Sequence, residues 1–218
     1  MKLMFKRLGA YIIDIFIVLI ISSILSNIGS LNYQMDKYMD TYNKIIKVTE
    51  KYEKKEIKKK EYTVEMSRLS YKLEKNSTIT TIISMACLIG YFGIFQYSQN
   101  GKTIGKRILK LQVVKNKDGN LNLVNYLLRS LILNNIIFSI IRLILLYTLS
   151  KNTYMGVYNY LANGQSILQL LIVVSMLISK EGRGIHDFVA GSKVVDLKAV
   201  DEFEAGTKKK VIEGEIIK

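Results

Sequence analysis

Asp14 stands in the run Leu8-Gly9-Ala10-Tyr11-Ile12-Ile13-Asp14-Ile15-Phe16-Ile17-Val18-Leu19-Ile20-Ile21, where every other residue suits hydrocarbon. A carboxyl at that depth costs roughly 2.5 to 3.5 kcal/mol on insertion scales, so it marks either a site that binds and releases a proton or cation, or a pair joining two helices. Arg7 shares its helix face but lies about 10 Å away along the axis, too far for a direct bridge. Arg7 is therefore expected to snorkel to the interface or to hold a lipid phosphate. Partners for Asp14 are sought in the third apolar segment, at Arg129, Asn134 or Asn135, or in a water-filled crevice. Arg142, later in that segment, is expected to snorkel to the opposite interface, and the asparagines can serve simply as interhelical hydrogen-bonding groups.

His186-Asp187 invites a catalytic reading, a histidine oriented by a carboxylate. Neighbouring residues do not point together on a helix, no nucleophile motif is near, and no second histidine offers a metal pair. The chain is read as no enzyme, with no cofactor and no metal. Gly101-Lys102-Thr103-Ile104-Gly105-Lys106 lacks the spacing of a phosphate-binding loop. A helix lying at the cytoplasmic interface fits better, with Ile104, Ile108 and Leu111 on one face and Lys102, Lys106, Arg107 and Lys110 elsewhere. His186 is assigned to the same interface.

The elements that carry these residues are apolar blocks, about 8–28, 79–97, 131–149 and 158–178, each near the ~20 residues that span a ~30 Å hydrocarbon layer. The predicted fold is all-α and polytopic: an N-terminus and first transmembrane helix over 1–29, a charged extramembrane helical hairpin over 30–76, a second span over 77–98, a cytoplasmic amphipathic segment and small hairpin over 99–125, a third span over 126–150, a short outer loop over 151–157, a fourth span over 158–179, and a cytoplasmic amphipathic segment with a mobile tail over 180–218. A cleaved signal peptide is excluded for the first block by Asp14, by the lack of a small-residue cleavage site and by the later spans. Cys87 is the only cysteine, so no intramolecular disulfide exists.

Charge sets the expected orientation. The net charge is +14, and lysines and arginines close to span ends favour both termini inside. The 30–76 segment holds neither glycine nor proline after Ser30 and shows seams at Tyr38, Tyr42, Ile45, Thr49 and Tyr52 and at Tyr62, Met66, Leu69 and Leu73. Its acidic residues dilute its positive field, which argues against nucleic acid. Expected partners are the lipid bilayer, anionic head groups, further copies of the chain or other membrane proteins. Abundant Ile, Lys, Asn and Tyr associate the chain with an AT-rich bacterial genome.

Two segments match without gaps: Gly101-Lys102-Thr103-Ile104 through Val113-Val114, and Gly182-Arg183-Gly184-Ile185 through Val194-Val195. Lys106 and Asp187 fall at equivalent places, and packing about a pseudo-two-fold axis would let them meet in an exposed, weak salt bridge. Leu111 to Lys115, a turn at Asp118-Gly119 and Leu121 to Leu123 predict a small β-hairpin, with Lys193 to Leu197 as a candidate strand to extend it.

Lys6-Arg7-Leu8-Gly9-Ala10-Tyr11-Ile12-Ile13-Asp14, the Gly101 to Arg107 motif with Val113-Val114, and His186-Asp187-Phe188-Val189-Ala190-Gly191 together resemble the RDD family of mostly bacterial membrane proteins, named for one arginine and two aspartates. The resemblance implies that Arg7 is that arginine and Asp14 and Asp187 the aspartates, and Arg129 matches an arginine often found where the third span begins. The long 30–76 insert departs from the family pattern. The expectation that follows is a multi-pass plasma-membrane protein with cytoplasmic termini that transports a small ion or ligand by cation/proton exchange, with Asp14 titrating. The alternative is an accessory or assembly component that binds membrane or envelope proteins through its hairpin.

Overall fold

The computed structural model describes residues 2–199; the tail expected to be mobile lies largely outside the described residues. Helix α1 (Lys2–Ser26) forms because its long aliphatic run has helical backbone bonds as its only escape from an apolar surrounding. Its inward stripe is Arg7, Ala10, Asp14, Val18, Ser22 and Ser26, all buried, while Phe5, Ile12, Phe16 and Leu19 face outward. Polar groups inside and large aliphatics outside invert the order of a water-soluble helix and suit a lipid solvent.

Helices α2 (Met35–Glu53) and α3 (Lys59–Asn76) follow. Tyr52 stacks on Tyr62 at one end, and Asn76 donates to Lys37 O and Thr41 Oγ1 at the other. The inward face of α2 is rotated from the expected seam. Thr41 is fully buried while Tyr42 is 44% exposed, because the small threonine permits close approach to Asn76.

Helix α4 (Thr78–Ser98) contains a π-helical stretch over Gly90–Phe95. Helix α5 (Ile104–Ile108) and strand β1 (Leu111–Lys115) come next, then α6 (Leu123–Leu133) and α7 (Ile136–Thr148). Helix α8 (Lys151–Ile178), the short α9 (Ile185–Val189) and strand β2 (Ser192–Asp196) complete the order. Among the described residues three helices are long and apolar enough to cross a membrane, namely Leu3–Ser26, Thr78–Ser98 and Lys151–Ile178, and α6 with α7 adds a fourth if that bent pair is one span.

Two expectations about these spans are corrected. The third span, expected unbroken over 126–150, bends by 69° between α6 and α7, where Asn135 takes a left-handed φ of 54°. Asparagine is among the few residues that adopt this conformation readily. The 151–157 stretch was drawn as a loop and is helical, because Ser150 caps the start of α8 through the Thr153 N–H. The small sheet is corrected as well. Leu121 to Leu123 forms no strand; β1 pairs instead with β2, antiparallel, with Val113 opposite Val194.

The fold divides into two compact units. The first comprises Met1–Ile17, Ile89–Leu133 and the chain from Leu170 on; the second comprises Val18–Leu88 and Asn134–Gln169. The core of the first is Ala10, Leu111, Val113, Tyr126 and Val194. In the second, Asn32 ties Ser26 O to Thr80 Oγ1, and Glu74 accepts from buried Tyr154 and faces Arg142 at 3.9 Å. Arg142 is thus held beside a carboxylate.

Candidate functional site

The site lies in the first unit, where α1 brings Asp14 against α4 and α5. Asp14 is fully buried. Its Oδ1 accepts from the Tyr91 hydroxyl at 2.7 Å and the Gly105 N–H at 2.7 Å. Its Oδ2 accepts from the Thr103 hydroxyl at 2.5 Å and stands 3.7 Å from Lys106 Nζ. The carboxylate therefore fastens the first turn of α5 to α1. Thr103 is also the N-cap of α5, and Lys106 donates to its Oγ1 at 3.2 Å.

The approach leaves no room at Gly105. A Cβ there would lie 2.2 Å from Ala10 O and 2.9 Å from Asp14 Oδ1, so the glycine is required by contact with α1.

Asp187 centres a second cluster. It is fully buried and pairs with Arg7 at 2.5 Å and with Arg129 Nε at 3.1 Å. It also accepts from Ser192 Oγ at 3.2 Å and from the Gly184 N–H at 3.2 Å. Arg7 further donates to Gly182 O and lies 3.4 Å from His186 Nε2. Arg183 donates to Ser192 O at 3.0 Å and stacks on the Phe188 ring. The positive neighbours Arg129 and Arg7 hold the Asp187 carboxyl below the usual range against the opposing effect of burial.

Burial pushes the Lys106 ammonium down to about 7, and Arg129 adds to the shift while Asp14 opposes it. Burial likewise pushes His186 down to about 3, so at neutral pH its ring is uncharged.

Of the residues singled out by sequence, Asp14 and Lys106 meet, and Arg7, Arg129, His186 and Asp187 meet. Arg7 neither snorkels nor faces lipid, because Asp187 lies within its reach and it is only 7% exposed. Arg129 turns to Asp187 and is no hydrogen-bonding partner of Asp14. Asn134 and Asn135 fall in the second unit, Asn135 being the residue that bends the chain. Lys106 and Asp187 do not form the expected exposed bridge: both are buried, each drawn inward by an opposite charge on α1. Of the four residues assigned to the interface, Lys106 and His186 are buried, whereas Arg107 is exposed and Lys102 half-buried. His186 Nε2 and Asp187 Oδ2 approach to 3.4 Å because the carboxylate folds back onto the Gly184 N–H in the first turn of α9.

Sequence reading missed Tyr91, Thr103, Gly105, Gly184 and Ser192. Four of them, Thr103, Gly105, Gly184 and Ser192, lie within the two matched segments, whose equivalent positions share backbone conformation: Gly101 and Gly182 both have positive φ, as do Lys110 and Gly191. The short helices and strands of the two segments correspond residue for residue, and the pairing centred on Val113 and Val194 has the symmetry of a local two-fold axis.

The family model of the RDD family matches residues 2–191. No curated protein and no solved structure matches the chain.

Proposed function

The chain belongs to the RDD family, and from that premise we propose that it moves a small ion or ligand across the plasma membrane of a bacterium in a proton-linked step. The proton is carried by Lys106 beside Asp14, not by Asp14 alone. One observation carries this reading: a lysine buried 3.7 Å from a buried carboxylate, whose burial pushes its ammonium down to about 7. Such a pair changes its proton content within the physiological range, which an ordinary lysine does not. Asp14 serves as the fixed acceptor, since three donors bond to it and the Lys106 Nζ stands 3.7 Å away.

Four spans with both termini cytoplasmic, and with α2 and α3 as an external hairpin, complete the proposal. Lysines and arginines near the span ends support that orientation. So few spans favour assembly of several copies around a pathway.

The test is flux in proteoliposomes. Imposed ion gradients should drive proton movement in the parent, and Lys106→Met should abolish it while keeping a monodisperse elution profile. Equal flux in parent and folded variant, or no ion-linked proton movement in the parent, rejects the reading.

A second reading, an accessory component that binds membrane or envelope proteins, draws support from α2 and α3, which expose apolar surface at Met39, Tyr42, Ile46 and Val64. It predicts that deleting 36–75 abolishes partner pull-down while the spans still insert; unchanged pull-down would reject it.

A further inference from the structure

Helix α8 is the span least covered by its own chain: 6% of its most apolar stretch is buried, against 22% for α1 and 17% for α4. Yet it exposes polar groups along one line. Asn152, Gly156, Asn159, Asn163 and Ser166 are all exposed and step along the helix by four, three, four and three, which aligns them as a single seam. Tyr154, on the opposite face, is fully buried. The seam therefore points away from the rest of the second unit, to which all six residues belong.

Depth decides what these groups need. Helix α8 has 28 residues and so extends ~42 Å, longer than a ~30 Å hydrocarbon layer. Asn163 lies roughly 18 Å from one end and about 22 Å from the other, so it is inside that layer wherever along the helix the layer falls. Ser166 returns its hydroxyl to Ala162 O at 3.0 Å, but the exposed amides of Asn159 and Asn163 have no hydrogen-bonding partner among the described residues. Lipid tails offer none, so an amide at that depth is satisfied across a second helix or by water enclosed in a pathway.

Three features select a second copy of α8. An amide is both donor and acceptor, so the seam complements itself. No charged residue occurs from Asn152 to Ser179, so two chains of net charge +14 can meet there without repulsion between facing side chains. At Gly156 an added Cβ would touch nothing within 4 Å, and the missing side chain lets two backbones approach closely.

We infer that the α8 seam is the interface of a parallel homodimer, in which Asn159 and Asn163 hydrogen-bond to their own counterparts across a two-fold axis. Copies inserted with one topology run parallel, and a seam of this spacing then brings each residue against its equivalent. Several copies are already called for by the proposed transport. The interface names what joins a pair, and it depends on α8 crossing the bilayer, not on transport itself.

The test uses the full chain with Cys87→Ser, reconstituted in liposomes and oxidised with copper phenanthroline. Asn159→Cys and Asn163→Cys should each give a disulfide-linked dimer on non-reducing gels. Tyr160→Cys, at a position 77% exposed but turned about 100° from Asn159, should stay monomeric. Energy transfer between donor- and acceptor-labelled chains, diluted with lipid, should show that Asn159→Leu combined with Asn163→Leu dimerises about tenfold more weakly than the parent. Equal cross-linking at 159, 160 and 163 marks random collision and overturns the interface, as does a double variant that dimerises as tightly as the parent. Absence of cross-links at 159 and 163 overturns it too, and modification of those cysteines by a charged thiol reagent then assigns the face to water. Cross-linked pairs without ion-linked proton flux keep the interface and reject transport; flux from chains that do not cross-link does the reverse.

Discussion

At the scale of single residues, Asp14 and Asp187 are acceptors on which whole segments hang. Removing one member of a buried charge pair strands the other, at a cost of about 3–5 kcal/mol. Asp187→Ala would leave Arg7 and Arg129 facing each other and is expected to abolish a cooperative melting transition in detergent, whereas Lys6→Ala, losing a partly exposed bridge to Asp196, should shift it by no more than about 2 °C. Gly105→Ala should cost at least about 2 kcal/mol by driving a methyl group into the α1 backbone. The pH dependence has a definite sign. Folding lowers the Lys106 value to about 7 from 10.5, so the unfolded chain binds more protons between these limits and stability rises with pH across that window. Folding lowers His186 from 6.5 to about 3, so stability also falls as pH drops through that range, and the lowered Asp187 carboxyl deepens the loss in stronger acid. A melting midpoint that is flat from pH 7 to 10 in the parent, or that climbs equally in Lys106→Met, would contradict this assignment.

At the scale of elements, the apolar runs of α1, α4 and α8 were plain in the sequence because lipid-facing helices need little besides length and hydrophobicity. Asp14 was legible as a site because a carboxyl in an apolar run is rare, Asp187 through the family resemblance, and the equivalence of the 101–114 and 182–195 segments through their opening glycine, basic second residue, isoleucine at the fourth position and closing Val-Val. Their partners were not legible. Which donor reaches Asp14 depends on the packing of α5 on α1, set by Gly105, and nothing at the level of residue type distinguishes Thr103 from other threonines. The strand expected from Leu121 to Leu123 does not form although Asp118-Gly119 is a good local turn, whereas the stretch expected to extend the sheet from Lys193 to Leu197 does join it, as β2 over Ser192–Asp196 paired with β1. The break after α6 follows from one residue. Asn135→Gly should be tolerated, while Asn135→Ile should destabilise by about 1–2 kcal/mol in the same melting assay, because a β-branched side chain resists φ near +54°.

At the scale of the whole molecule, the segments flanking the apolar helices are bound to α1 by charge: α5 through Asp14, α9 through Arg7, and β2 through Lys6. The proposed outer placement of α2 and α3 is checked by labelling. With Cys87 replaced by serine, Thr49→Cys should react with an impermeant maleimide from the outer side of intact cells; reaction only after lysis would reverse the proposed topology. The bond between Arg7 and Asp187 joins residues 180 positions apart, which matters for how the protein is made. At roughly 5–20 residues per second, the ribosome needs on the order of 10–40 s after Arg7 is synthesised before its partner exists. Throughout that interval the arginine lacks its carboxylate partner, and any nascent chain released before Asp187 is made carries α1 with that guanidinium unpaired by Asp187.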